Sequence, residues 1–182
     1  MAKSGSNKAL VVYESMFGNT EKVARAIGAG LATSLEVEVV EVSKAPTEPG
    51  PGVGLVVAGG PTHAFGMTRD ATRADAMDLG AEQGERDFGL REWIDRLPTK
   101  RSNTPLATFD TRITSKRRLP GSAAKAAARA AKRHGYDPAA PAESFFVSGT
   151  DGPLLDGELE RAEAWGHDLV ALVKVTKRET HH

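Results

Sequence analysis

The chain has no cysteine. That excludes disulfides, thiolate metal centres and a cysteine nucleophile, so any electron chemistry has to come from a bound cofactor. Charge of one sign is also missing: 24 basic residues stand against 24 acidic ones, which argues against a dedicated nucleic-acid binder. No apolar run approaches the ~20 residues that span a bilayer, and no membrane partner is expected. The start, Met1 to Lys8, has no apolar signal core, so a cytoplasmic location is the expectation. No set of histidines and carboxylates has metal-ligand spacing, and neither a metal site nor a catalytic side chain is expected. What is present is ordinary for a globular chain: 182 residues, 40% of them hydrophobic, enough for one domain with a core. One domain over 1–182 is expected, with 1–7 and 176–182 as loose ends.

Apolar runs alternate with helical patterns. Lys8 to Tyr13 reads as a buried strand, and a helix follows with Val23, Ala26, Ile27, Gly30 and Leu31 on one face. Asn19 or Thr20 is placed to cap it, and Glu21 suits its positive end. Leu35 to Val42 alternates apolar and acidic residues, a strand with one wet face. Val53 to Ala58 is apolar nearly throughout, a central strand. Thr68 to Asp87 is a charged stretch with room for one short helix, the only segment that reads as an insertion. A helix over Gly89 to Leu97 puts Leu90, Trp93, Ile94 and Leu97 inward, and Pro98 stops it.

Pro105 to Phe109 reads as the fourth strand, and Asp110 to Pro120 as a polar, basic loop. An alanine-rich helix spans Gly121 to His134, the fifth strand Glu143 to Val147, and the last helix Asp156 to Val175. The last helix carries Leu159, Ala162, Trp165, Leu169, Leu172 and Val173 along its apolar face. This alternation predicts an α/β fold, a parallel sheet covered on both faces.

The loop Ser15–Met16–Phe17–Gly18–Asn19–Thr20 leaves a strand and opens a helix. Such a turn gathers backbone N–H groups at the positive end of a helix dipole, where a phosphate fits. Ser15 and Thr20 add hydroxyls, Asn19 an amide, and Gly18 a backbone free to turn. The loop has no lysine or arginine and lacks both the triphosphate P-loop pattern and the three-glycine dinucleotide pattern.

The segment Val11–Val12–Tyr13–Glu14–Ser15–Met16–Phe17–Gly18–Asn19–Thr20–Glu21 resembles the flavodoxin signature. The resemblance implies a three-layer, doubly wound, five-stranded parallel sheet with strand order 2-1-3-4-5; the flavodoxin case is the one by which the switch-point rule itself is illustrated. It also implies an FMN whose phosphate is held by Ser15 to Thr20. Pro61, Thr62, His63, Ala64, Phe65 and Gly66 stand where the family flanks one face of the flavin ring. Asp110, Thr111 and Arg112 stand where the second flanking loop lies.

Two departures matter. Met16 and Phe17 replace the usual threonines, and the ring loops offer His63 and Phe65 but no tryptophan or tyrosine. Charge differs as well: Lys100, Arg101, Arg112, Lys116, Arg117 and Arg118 cluster around the fourth strand, against Asp110. A positive field there favours the reduced, anionic flavin. The resemblance implies electron transfer with redox partner proteins, a donor reductase and an acceptor. The alternatives are an NAD(P)H-dependent flavin or quinone reductase using FMN, and a flavodoxin-like module without flavin. His134 and His167 are expected to be structural.

Overall fold

The computed structural model describes residues 7–99 and 102–179. The chain runs β1 (Lys8–Tyr13), α1 (Asn19–Leu31), β2 (Glu36–Glu41), β3 (Val53–Pro61), α2 (Asp70–Asp78), α3 (Leu90–Asp95), β4 (Ser102–Ile113), α4 (Ala123–Arg133), β5 (Tyr136–Pro138), β6 (Glu143–Val147) and α5 (Glu158–Glu179). Every strand pair is parallel. The order is β2-β1-β3-β4-β5, with β6 also on β4. The fifth position is thus shared. β5 meets the first half of β4, at Ser102 and Leu106, and β6 meets the second half, from Phe109 to Ile113.

Both faces of the sheet are sealed, and the period-two alternation of β1 shows how. Ala9, Val11 and Tyr13 enter one core, with Val23, Ile27 and Leu31 of α1 and Ala162, Leu169 and Val170 of α5. Leu10 and Val12 enter the other, with Leu90, Trp93 and Ile94 of α3 and Ala123, Ala127 and Ala130 of α4. β3 divides the same way, Leu55 and Val57 against Val56 and Ala58. Trp93 is fully buried and donates its indole N–H to the Pro46 carbonyl at 3.0 Å. Trp165 packs edge-on against Phe109 and Phe145, which meet edge-on themselves. Among the described residues no helix is long and apolar enough to cross a membrane.

Four expectations are corrected. β4 does not stop at Phe109 but runs to Ile113, because Asp110, Thr111 and Arg112 gain partners on β6 and Gly60 and Pro61 of β3 stay in register with it. α1 is capped by Gly18, at φ 92°, rather than by Asn19 or Thr20. α5 buries Ala162, Gly166, Leu169 and Val170 and leaves Leu159 and Leu172 exposed; the Val173 side chain lies outside the described residues. α5 also runs from Glu158 to Glu179 rather than from Asp156 to Val175; residues 1–6 and 180–182 lie outside the described residues.

The α5 shift has a steric cause. Gly30 of α1 and Gly166 of α5 let the two backbones touch: a Cβ on Gly30 would overlap the Glu163 carbonyl, and one on Gly166 the Ile27 carbonyl. Small residues therefore set the seam. In an isolated helix Gly→Ala gains ~1 kcal/mol. Here Gly30→Ala and Gly166→Ala are each expected to lose about 1–3 kcal/mol, because overpacking forces the helices apart. Urea unfolding checks the sign, and stabilisation by either variant would refute the seam.

Candidate functional site

The ends of β1, β3 and β4 open into one cavity of about 410 Å³, within the range of small-molecule sites. Its lining includes Met16, Phe17, Asn19 and Thr20 from the first loop; Pro61, Thr62, His63 and Ala64 from the second; and Thr111 and Arg112 from the end of β4. Residues 20, 62 and 111, far apart in sequence, are tied together here: the Thr20 and Thr111 hydroxyls are 2.7 Å apart, and the Thr62 backbone N–H donates to the Thr111 carbonyl at 2.9 Å.

The remaining expected residues are not part of this lining. Ser15 is buried and its hydroxyl accepts the Gly18 N–H at 3.1 Å. Gly18 turns the chain into α1. Phe65 and Gly66 belong to the tip of the second loop, and Phe65 is exposed. Asp110 is fully buried and turned toward α4. Its Oδ2 accepts the Thr62 hydroxyl and the Ala124 N–H, both at 3.0 Å.

Two helix N-termini lie close together here, and they differ in one respect. The first N–H groups of a helix lack intrahelical acceptors. At α4 these are met: Ala123 N–H by the Thr62 hydroxyl, Ala124 N–H by Asp110 and Lys125 N–H by Ser122. α1 has no side-chain cap, so its positive end is open beside Asn19 and Thr20.

Residues that the sequence did not single out complete the cavity: Thr72, Asp75 and Ala76 of α2 with Leu79 just beyond it, Val147 at the end of β6 and Thr150 after it. The stretch that read as an insertion is therefore a wall of the site. It is anchored from below by charge. Glu14, the last residue before the first loop, is 1% exposed, and Arg73 of α2 is 0% exposed. Glu14 accepts the Thr68 hydroxyl at 2.5 Å and the Leu90 N–H at 2.9 Å, with the Arg73 Nε at 3.4 Å. Arg73 also donates to Glu92 at 2.5 Å and to the Arg86 carbonyl at 2.6 Å. A buried charged pair in adjacent sequence would be visible as a pattern; Glu14 and Arg73 belong to different elements and give no such signal. Met16, which stands where the family more often has threonine, clips the loop to the same wall. Its carbonyl accepts the Gln83 N–H at 3.2 Å, and a Cβ on Gly84 would sit 2.5 Å from its sulfur.

The second loop is a two-residue hairpin. His63 and Gly66 exchange N–H···O bonds of 2.9 and 3.1 Å around Ala64 (φ 46°) and Phe65 (φ 69°). Positive φ at both central positions is the primed-turn geometry that normally takes asparagine and glycine; for other residues it costs about 1–3 kcal/mol each. His63 lies on the cavity wall, and burial, with Arg73 second, pushes its imidazole below the ordinary histidine value. Burial likewise pushes the Glu14 carboxyl up, against the pull of its hydrogen bonds and Arg73.

A family model described as flavodoxin matches residues 11–101, half of the chain. The sheet order, the open helix start and the two converging loops define a doubly wound α/β protein with its site at the strand ends, and the chain belongs to the flavodoxin family. Family membership implies a flavin cofactor and electron transfer to redox partners. The fold is similar to that of a flavodoxin from the domain Archaea, 21% identical at a TM-score of 0.60, covering 92% of this chain and 99% of that one. It is also similar to flavodoxin 2 from Bacillus cereus, 18% identical at 0.62, covering 90% and 98%. The rubredoxin oxygen:oxidoreductase of Desulfovibrio gigas, 18% identical at 0.62, covers 95% of this chain, which spans only 37% of that protein. No curated protein matches.

Two outcomes are expected of the charged network and the loop. Arg73→Met should lose about 3–5 kcal/mol at neutral pH, since it leaves a carboxylate buried without its cation. Glu14 has a raised folded value, so its contribution is full below the unfolded carboxylate range and falls as pH rises through the folded value. Without Arg73 that value rises further, and the loss should shrink toward ~pH 5. Urea midpoints at the two pH values decide; an equal loss at both would exclude a charge effect. For His63 the sign is opposite. A lowered folded value gives stability that is full above the ordinary histidine value of ~6.5 and is lost as pH falls through the folded one. An NMR titration should place the His63 midpoint below ~6.5, and Arg73→Met should move it up, because a nearby cation is removed.

Proposed function

We propose that this protein binds one FMN and serves as an electron carrier. The observation that carries the reading is the contrast between the two helix starts: the first N–H groups of α4 are bonded by Thr62, Asp110 and Ser122, whereas α1 opens without a side-chain cap onto the cavity where the three loops meet. A phosphate fits there by the donor chemistry on hand, the first-turn N–H groups of α1, the Asn19 amide and the Thr20 hydroxyl. Pro61 to Ala64, Thr111 and Arg112 would flank the ring. FMN supplies reversible one-electron chemistry when bound; the chain's part is to grip the phosphate, exclude water from the ring and set the field around it.

That field has two sources. Arg112 and Lys116 line the cavity on the β4 side and Asp75 on the α2 side. His63 is the one titratable group on the second loop, and its depressed value keeps it neutral at neutral pH. The basic side favours the reduced anion. Lys100 and Arg101, which the sequence grouped with this cluster, lie outside the described residues.

Titration of the chain with FMN, followed by flavin fluorescence, tests the reading. One equivalent should quench, and riboflavin, which lacks the phosphate, should bind far more weakly. Asn19→Ala and Thr20→Val should each weaken FMN by about 10–100-fold, the loss of a hydrogen bond to a charged group, and leave riboflavin unchanged. A protein indifferent to FMN would overturn the proposal, and equal affinity for riboflavin would overturn the phosphate site at α1. Oxidation of NADPH by the loaded protein with a quinone, with no second protein present, would move it from carrier to reductase.

A further inference from the structure

The second loop spends strain on an exposed side chain. Phe65 sits at φ 69° where glycine would be unstrained, and it is 58% exposed. Its backbone is pressed against Gly121, where a Cβ would overlap the Phe65 carbonyl. Two residues before Gly121, Leu119 is 44% exposed. The loop that carries Leu119 also carries Lys116, Arg117 and Arg118, all exposed. Among the described residues none of these three cations has an ion pair, whereas Arg25, Arg73, Arg86 and Arg161 all do. The loop is held in shape by Arg112, whose guanidinium donates to the Lys116 and Leu119 carbonyls at 3.2 Å. Ala64, next to Phe65, and Lys116 both line the cavity, so the patch borders its mouth.

Two exposed apolar side chains on neighbouring loops, one of them sharing its loop with three unpaired cations, have the make-up of a binding surface, apolar residues beside charged ones. We propose that Phe65 and Leu119, with Lys116, Arg117 and Arg118 around them, form the docking surface for an acidic electron-transfer protein that presents an apolar contact edged by carboxylates. The local charge selects the partner: the chain has no net charge, and the unpaired cations of this patch attract carboxylates and repel a basic surface. The proposal rests on the reading of the protein as an electron carrier, but docking is measured without electron transfer, so the two can fail separately.

Calorimetric binding of the FMN-treated chain to two probes, an acidic plant-type ferredoxin and basic cytochrome c, tests it. The ferredoxin should bind more tightly than cytochrome c, and its affinity should fall steeply as salt is added. Arg117→Glu/Arg118→Glu should weaken the ferredoxin by about tenfold or more and strengthen cytochrome c. Phe65→Gly should weaken the ferredoxin while the melting temperature holds or rises, because the turn loses its strain; that separates a docking role from a folding one. Cytochrome c binding as tightly as ferredoxin, or charge reversal without effect, would overturn the surface. Failure to take up FMN with salt-dependent ferredoxin binding intact would overturn the electron-carrier reading and leave the surface standing.

Discussion

Much of this site hangs on one carboxylate. Glu14 ends β1 with 1% of its surface exposed, and burying a charge costs several kcal/mol unless it is paired and hydrogen-bonded. The chain meets that cost from three directions: Thr68 before α2, Arg73 within it and the first N–H of α3. It also clears the space. A Cβ on Gly89 would lie 2.7 Å from the carboxylate, and one on Gly60 3.5 Å from it. A buried ion pair is weak evidence for stability in itself, since an apolar replacement is often as stable. What this one fixes is position. The same residue sets where β1 releases the chain into the first loop and where α2 stands over the cavity.

The rest of the site divides into rigid and strained parts. The α4 side is rigid: Thr62 gives its hydroxyl proton to Asp110 and accepts the Ala123 N–H, so the second and third loops share one hydrogen-bond network. Asp110 completes that network and explains why a carboxylate stands in a basic neighbourhood, at the positive end of a helix. The strained part is the four-residue hairpin from His63 to Gly66, which extends from the rigid network and carries no buried side chain at its tip. Strain confined to a tip beside a cavity is the pattern of a functional loop.

The fold was legible because its signals are local. β1, the core of β3 and β6 are apolar runs of the right length, and the alternation with helices leaves little choice of architecture. The first loop was legible for the same reason, a glycine, an asparagine and a hydroxyl in five residues. What escaped the sequence is tertiary. Arg73 in a run of charged residues looks like any solvated arginine; only the 59-residue separation from Glu14 closed by folding makes it a core residue. The resemblance put Asp110 in the second flanking loop; its bond to the Ala124 N–H at the start of α4 is a tertiary contact with no mark in the sequence. Leu159 and Leu172 fit a helical stripe, yet the Gly30–Gly166 contact decides which stripe is buried. β5 is three residues long and carries no periodicity to read.

The cavity owes one of its walls to charge rather than to apolar packing. The walls of the cavity come from the loops after β1 and β3, the end of β4 and α2. Placing α2 there required an anchor strong enough to hold a charged, weakly apolar helix on the protein, and α2 buries only Arg73 and Ala76. The hydrophobic effect cannot supply that from one alanine. The Glu14–Arg73–Glu92 network does, and so the charged stretch and the sealed carboxylate follow from a single arrangement of the wall.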